Sequence, residues 1–316
     1  MPDIHLLNPP MMSRIILCLT AMVFFISGTS MAQSLVCQQR GTYPMPTLST
    51  AARQRMEAQL DKARADALSS KGDADAQIWL GRRQAYLGHY HDAIDTYGMG
   101  KQVYPGDARF LRHRGHRWIT LRCLDSAVND LTLASRWVKG KPDEVEPDGM
   151  PNDKNIPTST LQSNIWYHLG LAYYLKGDYN NAVKAYRSCL NVSKNNDMYI
   201  ATANWYHLSL KKAGKHKAAA RFLKTIDPSV PLIENEDYLS LLNLYIEQTE
   251  PSKALQGLLE RKELSSASYG YGLGEYLLSR GDREGAKEVF TRISSDPSNW
   301  SSFGYMAAEN ALRTLK

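Results

Sequence analysis

A helical-hairpin pattern that returns along the chain is the strongest constraint on its fold. Residues 164–190 read NIWYHLGLAYYLKGDYNNAVKAYRSCL. Leu161, Ile165, Leu169, Ala172 and Tyr173 recur at helical spacing, as do Ala182, Val183, Tyr186, Cys189 and Leu190, which marks two amphipathic helices. In the intervening KGDY, Gly177 can take the left-handed conformation that ends one helix and Asp178 can cap the next. Gly170 and Ala182 withdraw bulk where the helices cross, and aromatic residues fill the flanks. A single hairpin cannot bury its outer face, so the pattern predicts neighbours of the same kind.

Such neighbours are present. Upstream, Leu80, Gly81, Gly88, Tyr90, Ala93 and Tyr97 keep the same order, with Pro105 ending the second helix. The next copy carries Gly115, Trp118, Leu124, Ala127, Leu131 and Ala134, and Ala127 follows Ala93 by 34 residues. Weaker copies centre on Ala219, Ala254 and Ala286, at successive spacings of 37, 35 and 32 residues from Ala182, so their turns must differ in length. The order of residues at Trp166, Leu169, Gly170, Tyr173, Ala182 and Tyr186 resembles the tetratricopeptide repeat. That resemblance implies an all-α fold: a right-handed superhelical solenoid of about six hairpins with capping helices, whose concave surface binds a partner.

The organisation expected from this pattern has seven parts. Residues 1–32 read as a signal peptide, because a short apolar run behind Arg14 ends in SMA at 30–32. The start lies at Met1, Met11 or Met12. Residues 33–49 form a mature tail and 50–75 an N-terminal flanking helix. Hairpins 1 and 2 occupy 76–137, an acidic insertion with proline and glycine 138–159, hairpins 3 to 6 160–293, and a C-terminal capping helix 294–316. The expected location is exported, periplasmic or secreted. A lipid anchor is the minor alternative, since Val36 rather than a small residue precedes Cys37. Cleavage after Ala32 leaves Cys37, Cys123 and Cys189, which show neither metal-ligand spacing nor a disulfide framework.

Charge concentrates in one place. The formal net charge of +6 tilts the choice of partner toward acidic groups, and residues 109–122 carry Arg109, Arg112, Arg114, Arg117 and Arg122 beside His113 and His116 without one acid. Like charges at helical spacing repel. These arginines either form a solvated face, stack on aromatic residues, or are compensated by Asp143, Glu144, Glu146 or Asp148 of the insertion. The insertion is then either a surface loop or a segment folded back over the groove.

The resemblance implies that the first helix of each hairpin lines the concave face, and carrying its inward positions over gives Arg82, Arg109, Arg112, His116, Asn164, Tyr167, Tyr174, Asn204, Lys211 and Lys212 as partner-binding residues. Cations, amides and tyrosines suit a protein or peptide with carboxylates. They do not reproduce the ordered lysine and asparagine set of the carboxylate-clamp members. A small anionic ligand or glycan held under the insertion is the alternative; an open groove would favour a peptide and a pocket near Arg112 and Tyr167 a solute. Catalysis, metal binding and cofactors are not expected: HExxH, GxSxG and a phosphate loop are missing, and the eight histidines show no ligand spacing. Nucleic acid is not an expected partner, because the positive charge sits on one helix rather than along a stripe. The oligomeric state is open.

Overall fold

The computed structural model describes Cys37 and residues 40–41, 43–70, 72–259 and 267–315. The expected signal peptide lies outside the described residues. The chain divides into residues 1–41 and a compact unit of residues 42–316, which carries the architecture below.

Its helices are α1 (Thr50–Ser69), α2 (Ala74–Tyr86), α3 (Tyr90–Val103), α4 (Ala108–Thr120), α5 (Leu124–Trp137), α6 (Leu161–Leu175) and α7 (Tyr179–Val192). There follow α8 (Asn196–Lys212), α9 (His216–Leu223), α10 (Glu236–Glu247), α11 (Pro251–Leu259), α12 (Ala267–Ser279), α13 (Arg283–Ser294) and, after one 3-10 turn, α14 (Phe303–Thr314). Five pairs of successive helices, α2–α3, α4–α5, α6–α7, α8–α9 and α12–α13, pack as hairpins; α10 packs on α8 and α12, α11 on α12, and α1 on α2. The unit is the all-α hairpin array that the repeat predicts. Among the described residues no helix is long and apolar enough to cross a membrane.

One steric rule closes four of the hairpins. Gly81 faces Tyr97, Gly115 faces Leu131, Gly170 faces Tyr186 and Gly274 faces Phe290, in every case 16 residues apart. A Cβ on any of these glycines would come within 3.0 Å of the opposing side chain, which is buried at 1% exposure or less. The large residue therefore enters the space the glycine vacates and the helices approach closely. In the fourth hairpin Tyr206 stands at that spacing from Phe222, and the two rings meet edge-on with centroids 4.8 Å apart. A ring in place of the glycine explains why this copy is weak in sequence.

The hairpin turns follow a second rule. Gly88, Gly177, Gly214 and Gly281 lie five residues before the conserved-spacing alanines at 93, 182, 219 and 286, all with positive φ. In the second hairpin Arg122 occupies this place with φ 61°. A left-handed residue with a side chain is strained by roughly 1 kcal/mol, and the contacts of Arg122 offset that cost. Its guanidinium donates to the Trp300 and Thr120 carbonyls, pairs with Glu309 at 3.0 Å and stacks on the Trp300 ring.

These contacts draw the C-terminal segment onto the earlier hairpins. Helix α14 packs on α12 and α13, as a cap should, and also touches α6, where Asn310 donates to the Leu175 carbonyl. Cys123 is disulfide-bonded and Cys189 is a buried free thiol.

Candidate functional site

The site begins with the basic helix. Asp107 caps α4 and simultaneously takes the Arg109 guanidinium, which also reaches Asp75. Arg114 pairs bidentately with Asp130 of α5 at 2.7 Å. Arg122 is held by the C-terminal segment. Arg112 has no acid on its own or the adjoining helices and reaches instead into the insertion.

The insertion is folded back and pinned. Val145 and Thr160 form an antiparallel bridge, and the Leu161 and Glu146 amides donate to the Glu144 and Ser159 carbonyls. Asn152 closes the tip by accepting from the Lys154 and Ile156 amides. Thr158 donates to Glu234 at 2.6 Å. The start of α6 is fixed beside it by a capping box between Thr160 and Ser163.

From this frame Glu146 reaches α4 and α6. Its carboxylate lies 2.8 Å from Arg112 Nη2 and accepts from Asn164 Nδ2 at 3.2 Å. Arg112 also donates to His113 Nδ1, which leaves the proton of a neutral His113 on Nε2, 3.7 Å from the same carboxylate. The backbone that carries Glu146 is gripped as well: Arg82 Nη1 donates to the Pro147 carbonyl at 2.8 Å and Arg83 to that of Gly149. Gly149 passes so close to Tyr86 and Arg82 that a Cβ there would overlap both.

The far wall comes from α14. Phe303 lies against His116, Tyr167 and His168, with centroid distances of 5.4, 6.4 and 5.6 Å. Tyr238 of α10 shares a hydroxyl contact with Tyr167 at 3.4 Å. A cavity of about 300 Å³ remains between these walls and the insertion, bordered by Arg112, Asp148, Tyr167, Met198, Tyr238 and Phe303. A neighbouring recess of about 170 Å³ shares Arg82, Arg112, His116, Glu146 and Asp148 with it and extends to Tyr97 and Arg117.

Burial governs the charges here. It pulls the Arg112 guanidinium below its ordinary pKa despite Glu146, and does the same to Arg117. His113, His116 and His168 are pushed well below the usual histidine range, by burial first and by the surrounding arginines second. At the mouth, burial and the Glu234 charge raise the Asp148 carboxyl, against the pull of Arg82 and Arg112.

Five of the ten residues chosen from sequence thus meet at one cavity: Arg82, Arg112, His116, Asn164 and Tyr167. The other five do not. Arg109 is engaged by Asp107 and Asp75. Tyr174 is buried, with its hydroxyl 2.6 Å from that of Tyr271, which in turn donates to Glu275. Lys212 pairs with the same Glu275 at 2.8 Å, Lys211 lies over the Tyr245 ring, and Asn204 is buried. Sequence reasoning missed Phe303 and Tyr238, whose approach to α6 carries no local signal. It passed over Arg117 and Tyr97, which the basic run and the repeat had brought into view.

The tetratricopeptide repeat family matches residues 163–196, which span the α6–α7 hairpin. This hairpin is a tetratricopeptide repeat, in agreement with the resemblance read from the sequence. No curated protein matches the chain. Among solved structures, a tetratricopeptide repeat protein from Parabacteroides merdae is 14% identical, with 81% of this chain and 93% of that one covered and a TM-score of 0.49. YrrB, described as a TPR protein with an unusual peptide-binding site, is 14% identical, with 79% of this chain and 97% of that one covered and a TM-score of 0.41.

Proposed function

We propose that this protein is an exported scaffold that binds a protein or peptide partner through a carboxylate-bearing, extended segment. Tetratricopeptide arrays present concave binding surfaces as a class. One observation supports the finer reading. The insertion is itself an acidic segment seated on the first helices of three hairpins, with its carboxylate on Arg112 and Asn164 and its carbonyls on Arg82 and Arg83. A partner with the same features would take the same seat once the insertion is displaced.

The test supplies the insertion in trans. Residues 142–157 are replaced by a short glycine-serine linker, and a labelled peptide of residues 141–156 is titrated against this variant and against the intact chain. The variant is expected to bind the peptide, the intact chain to bind it at least about tenfold more weakly, and a peptide with Glu146→Gln to lose about tenfold in affinity. A folded variant that binds neither peptide removes the concave seat from consideration.

The cavity left beside Arg112 and Tyr167 favours a second reading, in which a small solute is held under the insertion. The two readings predict opposite signs. Loosening the insertion with Glu146→Gln raises capture of a peptide and weakens retention of a solute.

A further inference from the structure

The recess beside the Glu146 seat contains charged and polar groups that the fold leaves without partners. Arg117 lines it, and its side chain has neither a hydrogen bond nor an ion pair among the described residues. Arg112 Nε is enclosed and makes no hydrogen bond. Tyr97, 1% exposed, lines the same recess, and its hydroxyl is also unpaired among the described residues. A half-buried guanidinium without an acid is costly, as is an enclosed N–H without an acceptor. The Arg117 and Tyr97 side chains border one space, and an anion there would satisfy both donors.

The other side of the space has the opposite character. Asp148 borders both the recess and the larger cavity, and its carboxylate forms no ion pair among the described residues. Glu234 stands close enough to oppose its ionisation. Glu146 already occupies Arg112. A second negative charge on a ligand would therefore be repelled at the mouth, whereas a positive one would be drawn there. Beyond Asp148 the larger cavity has an apolar wall that includes Tyr167, Met198, Tyr238 and Phe303.

We propose that this cavity and the adjoining recess together form a site for a small zwitterion of the α-amino acid class, with its carboxylate on Arg117 and Tyr97 in the recess, its ammonium facing Asp148, and an apolar side chain against Met198, Tyr238 and Phe303 in the cavity. The volume of about 300 Å³ is at the lower end of ligand cavities and suits one amino acid rather than a glycan. This inference rests on the solute reading above and names its ligand class.

Phenylalanine, 3-phenylpropanoate and phenethylamine separate the two poles when titrated calorimetrically against the intact mature chain. Phenylalanine is expected to bind saturably, 3-phenylpropanoate about tenfold more weakly, and phenethylamine more weakly still. Arg117→Met keeps the stem packing and is expected to lose about tenfold or more for both carboxylates. Asp148→Asn is expected to bring phenylalanine to the level of 3-phenylpropanoate and to leave the latter unchanged. Equal binding of phenylalanine and 3-phenylpropanoate to the wild type overturns the zwitterion assignment and leaves a simple anion site. Binding of none of the three removes the solute reading with it, and full binding to a folded Arg117→Met variant overturns the placement of the carboxylate.

Discussion

The guanidinium carbon of Arg122 lies 4.0 Å from the centroid of the Trp300 ring, although the two residues belong to opposite ends of the hairpin array. Arg122 reaches this position from a left-handed backbone in the turn where four other hairpins have glycine. Its side chain therefore stabilises the C-terminal segment at the expense of local backbone strain. Arg122→Ala is expected to cost about 2 kcal/mol by loss of the Glu309, Trp300 and carbonyl contacts. Arg122→Gly loses the same contacts but relieves the turn, and is expected to be about 1 kcal/mol more stable than the alanine variant. Chemical denaturation measures the difference, and faster amide exchange in α14 of both variants would locate it.

Acid should destabilise the fold well above the carboxylate range. His113, His168 and His207 are buried, and burial holds each below its ordinary pKa, with His207 down to about 3. In the unfolded chain each titrates near ~6.5. Between that value and the folded one the unfolded chain carries the extra proton, so their stabilising contribution is complete above pH 6.5 and is lost as pH falls. Each histidine contributes a limiting slope of about 1.4 kcal/mol per pH unit, and for His207 the loss continues to about pH 3. His207→Phe is expected to remove one such slope from the stability profile measured by denaturation between pH 6 and 4.

The hairpins were legible because each one encodes its own closure within about 25 residues: Gly170, Gly177, Ala182 and Tyr186 specify a crossing and a turn without reference to the rest of the chain. The resemblance to the tetratricopeptide repeat also implied which face of α4 and α6 carries the candidate binding residues. It could not identify what already occupies that face. Glu146 meets Asn164 across 18 residues, Arg82 meets Pro147 across 65, and Arg122 meets Glu309 across 187. The insertion has no period, and Phe303 lies on a helix expected only to cap the last hairpin. The acid-free run at 109–122 did carry a usable signal. It pointed to compensation from the insertion, and Arg112 receives it from Glu146.

Glu275 gathers two of the sequence-chosen residues that the cavity leaves aside, Lys212 directly and Tyr174 through Tyr271. It accepts from Tyr271 at 3.0 Å, pairs with Lys212 at 2.8 Å and is 7% exposed. Burial and this carboxylate both raise the Tyr271 and Tyr174 hydroxyls above their ordinary range, so the tyrosines act there as donors. Glu275→Ala leaves the Tyr271–Tyr174 pair without its final acceptor and Lys212 without its acid, and is expected to cost about 2–3 kcal/mol. Glu275→Gln keeps an acceptor for Tyr271 and should cost about half as much. Denaturation curves of the two variants test this order.

Arg112 and Glu146 provide the most direct measure of how firmly the insertion is held. Both side chains are about nine-tenths buried and 2.8 Å apart, so each serves as the other's counter-ion. Removing one partner leaves an enclosed unpaired ion, and Glu146→Ala or Arg112→Met alone is expected to cost about 3 kcal/mol. The double variant removes both charges and should cost less than the sum of the single changes by about 1.5 kcal/mol or more. Its effect on the insertion has the same sign as its effect on the whole fold: proteolysis between residues 141 and 158 should accelerate in all three variants, because the Arg112–Glu146 pair ties this segment to α4. Additive stability changes with unaltered proteolysis would mean that the insertion is held by Arg82, Arg83 and Glu234 instead.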